Sequence, residues 1–524
     1  MNKPLTERQT TWLILALMWV LLLVLSALRP LAVPDEGRYG DIGRAMLLSG
    51  DWLTPRLNGI PFFHKPPFLY WLQSLSLAAF GINEFALRLV PAVHVGGMLV
   101  ALYVCARRIT NEALARRAAI MLGTGMGFLV GGQYVNHDML VAAWIGVAIW
   151  CFAFAFMAGE KPHAQLARLG FVACALGMLS KGLIGIALPG LVLLVWLVWT
   201  RQWRKLLYLP WLSGLALFAM IVAPWFVLAQ QKYPELLNYM FVHHHFTRYT
   251  AKTFNNPQPV WFYLVALGLL LFPWLLWALA GLRVKAAAGL APTQVQRQGF
   301  SLCWIWLLCI LGFFTLPSSK LVGYILPVMP PVALLAAIGW ERIFGARAWG
   351  HKLFAGLALL NIGMATAFVL MVGDITKEGR SKDVASVLAC AASPLDTVYA
   401  VGGFPYDLPF YTQAARPMVV LQDWIERRAN AGDGWERELF EGANFDAQAA
   451  RVLQSPEVLA QAGQTPGNWL VAKNGNASVD TLAGWRLVSE GEGWALYRSG
   501  DGLAGSAAKR PEAAQHKGLP GCKH

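Results

Sequence analysis

Asp35, Arg38, Tyr39, His64, Lys65, Asp138, Lys181, His243, Arg248, Lys320 and Tyr324 are the residues of this chain whose types and placing could do chemistry. They stand in short polar segments set between long apolar runs. Ionisable side chains at that depth are costly unless they are paired or face a wet cavity, so they are candidates for function by default. Cations in such a set can hold a phosphate, and a carboxylate can stand beside the carbon that changes partner. Each residue also has a plainer duty. Asp35 could cap the helix that follows it, and Lys65 could snorkel to headgroups. Asp138 could cap a helix or pair with a nearby cation, and Tyr324 could sit in an interfacial belt. Adjacent histidines on a regular helix cannot all face one site, so His243-His244-His245 points to one useful imidazole rather than three metal ligands.

The elements that must position these residues follow from composition. Of 524 residues, 56% are hydrophobic and only 14% charged, against roughly 25% charged in a soluble domain. No Asp, Glu, Lys or Arg occurs between Arg8 and Arg29, Arg117 and Asp138, Asp138 and Glu160, Lys181 and Arg201, or Lys205 and Lys232. The same holds between Arg297 and Lys320, Lys320 and Glu341, and Lys352 and Asp374. Each run is near or above the ~20 residues that cross a bilayer as a helix. So many runs exclude a signal peptide as their explanation. The chain is expected to be an α-helical polytopic membrane protein. Its net charge of +14 gathers in alternate connections: Arg107, Arg108, Arg116 and Arg117; Lys161 and Arg168; Arg201, Arg204 and Lys205; Arg283, Lys285 and Arg297; Arg342, Arg347 and Lys352. That alternation marks cytoplasmic loops, and no nucleic-acid partner is needed to explain it. Five of seven cysteines (Cys105, Cys151, Cys174, Cys303, Cys309) lie in apolar runs, and nothing in the spacing pairs Cys390 with Cys522.

With the N-terminus inside, about eleven helices are expected, or about thirteen on the widest count. They lie near 11–29, 89–106, 117–136, 139–158, two within 162–199 divided at Ser180-Lys181-Gly182, 207–230, 259–282, 299–317, 321–340 and 353–373. Residues 1–373 form the membrane domain. Its first outer loop, 30–88, is far longer than the usual connection of about 4–6 residues. Glu36–Leu48 in that loop has an amphipathic pattern suited to the membrane interface, and a second helix is expected from Pro66-Pro67 toward Gly81. Residues 374–498 read as a small α/β domain outside the membrane. Its strands are expected at Thr397–Val401, Met418–Leu421, Trp469–Ala472 and Trp494–Tyr497, and its helices at Asp383–Cys390 and Asn444–Leu453. Residues 499–524 read as a disordered tail.

The segment Pro34-Asp35-Glu36-Gly37-Arg38-Tyr39-Gly40-Asp41-Ile42, with Ser49-Gly50-Asp51-Trp52 and Pro55-Arg56-Leu57-Asn58-Gly59, resembles the first periplasmic loop of bacterial lipid A aminoarabinose transferases. Phe63-His64-Lys65-Pro66-Pro67-Phe68-Leu69-Tyr70-Trp71, Pro317-Ser318-Ser319-Lys320-Leu321 and Tyr324-Ile325-Leu326-Pro327 resemble further signatures of that family, which is related to protein O-mannosyltransferases. The likeness covers roughly the first 345 residues well. Beyond them, Phe404-Pro405-Tyr406-Asp407-Leu408-Pro409-Phe410-Tyr411 is similar to a stretch often seen in the family's C-terminal region. The resemblance implies the C-type glycosyltransferase fold, a bacterial inner-membrane location with a periplasmic C-terminal domain, and a polyprenyl-phosphate-linked sugar as donor.

Residue by residue, the resemblance makes Asp35 the catalytic or acceptor-positioning carboxylate. It has Lys65, Arg248 and Tyr324 hold the donor phosphate, with Arg38, Tyr39, Asp138 and Lys181 in support and His243 near the site. The family's Glu before Lys-Pro-Pro is His64 here. That Glu and the later His can share a zinc ion in the family. His64 with His243 would keep nitrogen donors but lose charge compensation, so no cofactor is expected to be required and any zinc should be weakly held. The reaction implied is transfer of a sugar, aminoarabinose or another pentose or hexose, from undecaprenyl phosphate to lipid A phosphate. A protein O-mannosyltransferase-like activity is the alternative within the class. A lipid flippase or secondary transporter is the alternative outside it, but the internal repeats and midplane polar residues such a protein should show are not evident.

Overall fold

The structure is a computed structural model that describes residues 5–247, 257–280, 293–375, 377–430, 434–475 and 484–500, with the side chains of 243–247 and 373–375 outside that description. It is predominantly helical. The chain divides into two compact units: Met1–Leu28, Lys65–Leu69 and Arg88–Leu370 in one, Arg29–His64, Tyr70–Leu87 and Met371–His524 in the other. Most of the first outer loop belongs to the same unit as the C-terminal region, not to the unit of the membrane helices.

In the helical unit, each expected span falls on helix among the described residues, two of them as bent pairs. Among the described residues seven helices are long and apolar enough to cross a membrane, nine if each of two bent pairs counts as one span. The expected eleven are reached only by adding the shorter Ile184–Trp199 helix and the Ala164–Lys181 helix. The His137–Met157 helix is apolar on every side and is correspondingly buried, as an all-round hydrophobic helix must be. Ala164–Lys181 packs along it, and Gly182 at φ +82° ends that helix. The next helix then returns so closely that a Cβ on Gly185 would lie 2.2 Å from the Gly177 carbonyl carbon. Small residues permit this approach of backbones, and the turn they make carries Lys181. The sharpest bend, 113° between Phe262–Leu270 and Trp274–Ala280, falls at Pro273, which has no N–H to continue a helix. The Phe272 carbonyl left by the break accepts from Asn361 Nδ2 at 2.7 Å. Trp274, Trp340, Phe344 and Phe354 fill the core beside it.

The second unit contains a short hairpin, β1 (Arg56–Leu57) with β2 (Ile60–Pro61), and a sheet of β3 (Val398–Val401), β4 (Val419–Leu421), β5 (Leu453–Gln454), β6 (Trp469–Lys473), β7 (Trp485–Glu490) and β8 (Trp494–Ser499). The order β5-β4-β3-β6-β8-β7 is parallel from β5 to β6 and antiparallel through β8 and β7. All four expected strands and the Lys382–Ala391 helix are present. The helix expected over Asn444–Leu453 is instead two 3₁₀ turns leading into β5. Asp446 accounts for this, because its carboxylate caps the N–H groups of Gln448 and Ala449 at 3.1 and 3.0 Å and so competes with helix formation. Cys390 is disulfide-bonded, a bond the spacing gave no reason to expect, while the other described cysteines are free. Cys522 and the expected disordered tail beyond residue 500 lie outside the described residues.

The expected amphipathic helix is present as Asp35–Ser49, and protein covers most of it. Ten of its residues, from Glu36 to Arg44 and Met46, are buried within the unit. Two glycines explain how it enters. A Cβ on Gly37 would meet the Asp407 nitrogen at 2.8 Å, and one on Gly40 would meet a Leu87 methyl at 2.6 Å. The charges that looked like a polar face are paired inside: Arg29 with Glu36, and Arg44 with Asp41.

Candidate active site

The site residues resolve into two clusters, one in each unit. In the second unit, Asp35 is the first residue of its helix, and the N-cap position is Pro34, without a side-chain cap. Asp35 is therefore not the cap its sequence position suggested. Its carboxylate accepts instead from Arg38 Nη2 at 2.5 Å, one turn along the same helix. The side chain of Asp35 keeps 24% exposure while Arg38 keeps 2%, so a reachable carboxylate is tethered to a buried cation. Arg38 Nη2 also donates to Tyr39 Oη at 2.9 Å, and its Nη1 donates to Glu438. The rings of Tyr39 and Trp435 each lie 4.4 Å from the guanidinium carbon. Burial alone would lower the Arg38 pKa. Glu438 first, then Tyr39 and Asp35, overcome it and hold the guanidinium well above its ordinary value, so it stays charged.

His64 stands beside this group. Its ring stacks on Phe62 at 5.0 Å, and its Nδ1 and Nε2 lie 3.9 Å from Glu438 and 3.5 Å from Glu441. Glu441 in turn pairs with Arg437. The sequence reading missed Trp435, Glu438 and Glu441. They lie on and just before the six-residue Arg437–Gly442 helix, where alternating charges read as a solvated surface. No local motif would have marked them.

In the helical unit, Asn136 caps the His137–Met157 helix through the Asp138 N–H at 2.9 Å, which leaves the Asp138 carboxylate free of capping duty. That carboxylate pairs with Lys181, whose ammonium lies 4.5 Å from the centre of the Tyr324 ring. Asp138, Lys181 and Tyr324 are thus brought together from three separate segments. Gly323 gives them room, since a Cβ there would lie 2.3 Å from Asp138 Oδ2. His137 Nδ1 lies 2.7 Å from the Ser180 carbonyl oxygen and holds the Lys181 turn against this helix. Lys320 is different. Buried, it donates to the carbonyls of Pro317 and Gln258 at 2.7 and 3.0 Å and staples the bridge between Pro257 and Ser319. Lys65 is half-buried, two residues before the Phe68–Phe80 helix is entered at Pro67. The side chain of His243, on the Asn238–Thr247 π-helix, and the whole of Arg248 lie outside the described residues. Among the described residues no three His, Cys, Asp or Glu side chains surround one point in the manner of a metal site, and both nitrogens of His64 are turned to carboxylates.

Comparison with known proteins places these clusters in context. The family model described as dolichyl-phosphate-mannose-protein mannosyltransferase matches residues 64–227. An undecaprenyl phosphate-alpha-4-amino-4-deoxy-L-arabinose arabinosyl transferase from Pseudomonas aeruginosa is 32% identical over 365 residues, which are 69% of this chain and 64% of that protein. One from Pseudomonas fluorescens is 34% identical over 329 residues, 62% of this chain and 56% of that protein. The match thus spans 56–64% of the length of these relatives. Among solved structures, ArnT from Cupriavidus metallidurans bound to undecaprenyl phosphate superposes with a TM-score of 0.77 at 24% identity, covering 95% of this chain and 99% of that one. The Archaeoglobus fulgidus oligosaccharyltransferase gives a TM-score of 0.50 at 14% identity over 88% and 69% of the two chains. By sequence over about two thirds of its length this chain is similar to the undecaprenyl-phosphate-dependent aminoarabinose transferases, and over nearly all of its length it shares the C-type glycosyltransferase fold of the solved ArnT structure.

Proposed function

We propose that the protein is a glycosyltransferase of the bacterial inner membrane that moves a sugar from undecaprenyl phosphate to lipid A phosphate. The observation that carries this reading is the partly exposed Asp35 carboxylate held by the buried Arg38, in a chain related to undecaprenyl-phosphate-dependent arabinosyl transferases. In the reaction, the bond from the anomeric carbon to the donor phosphate oxygen breaks, and its electron pair leaves with the phosphate. A new bond forms from that carbon to an oxygen of the acceptor. Lys65, Arg248 and Tyr324 stabilise the leaving phosphate, and a preorganised donor of this kind contributes about 2.7–4 kcal/mol. Asp138 and Lys181, paired beside Tyr324, orient that ring. A phosphate acceptor is already anionic and needs no base, so Asp35 positions it or stabilises positive charge developing on the sugar carbon. With a hydroxyl acceptor Asp35 would instead be a general base.

The catalytic residues work from the periplasmic face in this reading. Basic connections assign the N-terminus to the cytoplasm, and the disulfide at Cys390 suits an oxidising compartment for the C-terminal region. His64, turned to Glu438 and Glu441, acts as a hydrogen-bonding residue, and no zinc ion takes part. Mass spectrometry of lipid A from cells lacking the gene, and from the same cells carrying the parent or Asp35→Asn, tests the reading. The parent should add one sugar mass to lipid A, and Asp35→Asn should insert and fold normally yet add none. Unmodified lipid A with the parent, alongside newly glycosylated periplasmic protein, would replace this reading with the O-mannosyltransferase-like one.

A further inference from the structure

We infer that Glu438, a residue of the C-terminal region, is a positioning residue for Asp35 and acts through Arg38; the inference rests on the proposed sugar transfer at Asp35. Arginine offers a planar fork that grips a carboxylate at two points when nothing else claims it. The same unit holds such a fork: Arg29 grips Glu36 with both terminal nitrogens, Nη1 at 2.5 Å and Nη2 at 3.1 Å. Arg38 does not do this to Asp35. Its Nη2 goes to Asp35 at 2.5 Å, and its Nη1 is drawn to Glu438.

The geometry fixes the remaining freedom as well. Tyr39 and Trp435 hold the plane of the guanidinium, each with its ring 4.4 Å away, and Glu438 sets the rotation within that plane. Glu438 itself is 12% exposed, and His64 Nδ1 lies 3.9 Å from it. The outcome is that Arg38 meets Asp35 through one nitrogen and does not close on it as a two-point salt bridge. A closed bridge would tie up the group that must meet the acceptor or the sugar carbon. Sequence separation argues against a merely local role, since Glu438 and Arg38 are 400 residues apart.

The experiment is steady-state transfer from a polyprenyl-phosphate sugar to lipid A by the purified full chain in nanodiscs. It compares the parent, Asp35→Asn, Glu438→Gln, Glu438→Asp, Arg38→Lys and the double variant Arg38→Lys with Glu438→Gln. Donor-binding stoichiometry on the same samples gives the folded fraction. Glu438→Gln should lower kcat by about tenfold or more, the difference between a charged and a neutral hydrogen-bond partner, with the donor KM and the binding stoichiometry unchanged. A lysine cannot fork, so in the Arg38→Lys background the Glu438 substitution should have no further effect. Parent-like kcat in Glu438→Gln, or the same loss in both backgrounds, overturns the inference while leaving the proposed function standing. An inactive parent or an active Asp35→Asn overturns the proposed function itself. Should Glu438→Gln not fold, Glu438→Asp decides by the same split: it retains the charge but is too short to hold Nη1, and parent-like kcat there refutes the role.

Discussion

Replacing Asp407 with Asn should abolish a pH dependence that the parent carries in its second unit. Asp407 is fully buried, and its carboxylate accepts from the Ser381 N–H at 3.2 and 3.1 Å and from Ser381 Oγ at 2.6 Å. These bonds tie the start of the Lys382–Ala391 helix to the loop that follows β3. Burial pushes the pKa of Asp407 up from 3.8 to about 6, against the pull of Ser381 and Arg380 in the other direction. The native state therefore binds the proton more tightly than the unfolded chain. The stabilisation from the protonated acid is complete below the unfolded value near 4 and is lost as pH rises through about 6. At ~1.36 kcal/mol per unit, the shift of about two units amounts to about 3 kcal/mol. The Asn variant loses this titration. It also carries an amide N–H₂ in place of an acceptor oxygen, at a cost of about 1–3 kcal/mol if unpaired. The two effects nearly cancel at neutral pH, so the diagnostic is the slope and not the absolute stability. Amide hydrogen exchange of β3 and β6, followed by mass spectrometry from about pH 4 to 7.5 and corrected for intrinsic rates, reads it directly. Protection in the parent should fall by about two orders of magnitude relative to the variant across that range. Parallel curves would refute the burial argument.

Gly323→Ala should separate Asp138 from Lys181, because the new Cβ would lie 2.3 Å from Asp138 Oδ2 and 3.0 Å from Asp138 Cβ. Losing that pair is worth about 1–3 kcal/mol, so sugar transfer should fall about five- to hundredfold with the protein still inserted, and parent-like turnover would show that the pair does not orient Tyr324. Prolonged chelation should leave transfer within about twofold of the untreated enzyme, because among the described residues no three His, Cys, Asp or Glu side chains are grouped as a metal site; stoichiometric zinc lost in step with activity would overturn this.

The membrane spans were legible in the chain because the constraint is one-dimensional. A run of ~20 apolar residues has no way to satisfy its backbone in a bilayer except as a helix, and each expected run is helical. Asp35, Arg38 and Tyr39 were legible too, since one turn of helix places the first two together whatever surrounds them. Sequence also identified Asp138, Lys181 and Tyr324, but only the fold pairs them, through the close approach of Gly177 and Gly185 and the room left by Gly323. What the sequence left open turns on burial. The Asp35–Ser49 helix has a pattern that fits an interface, and it is buried because Gly37 and Gly40 let other segments close over charges already paired. Asp35 looked like a cap, but the helix begins at Asp35 itself with Pro34 before it. Glu438 was invisible: a glutamate among alternating charges acquires meaning only when the chain returns it, 400 residues later, to the second nitrogen of Arg38. Periodicity reports which face of an element is apolar, whereas the partner of a buried charge is set by tertiary packing, and here that packing decides what the Asp35 carboxylate is left able to do.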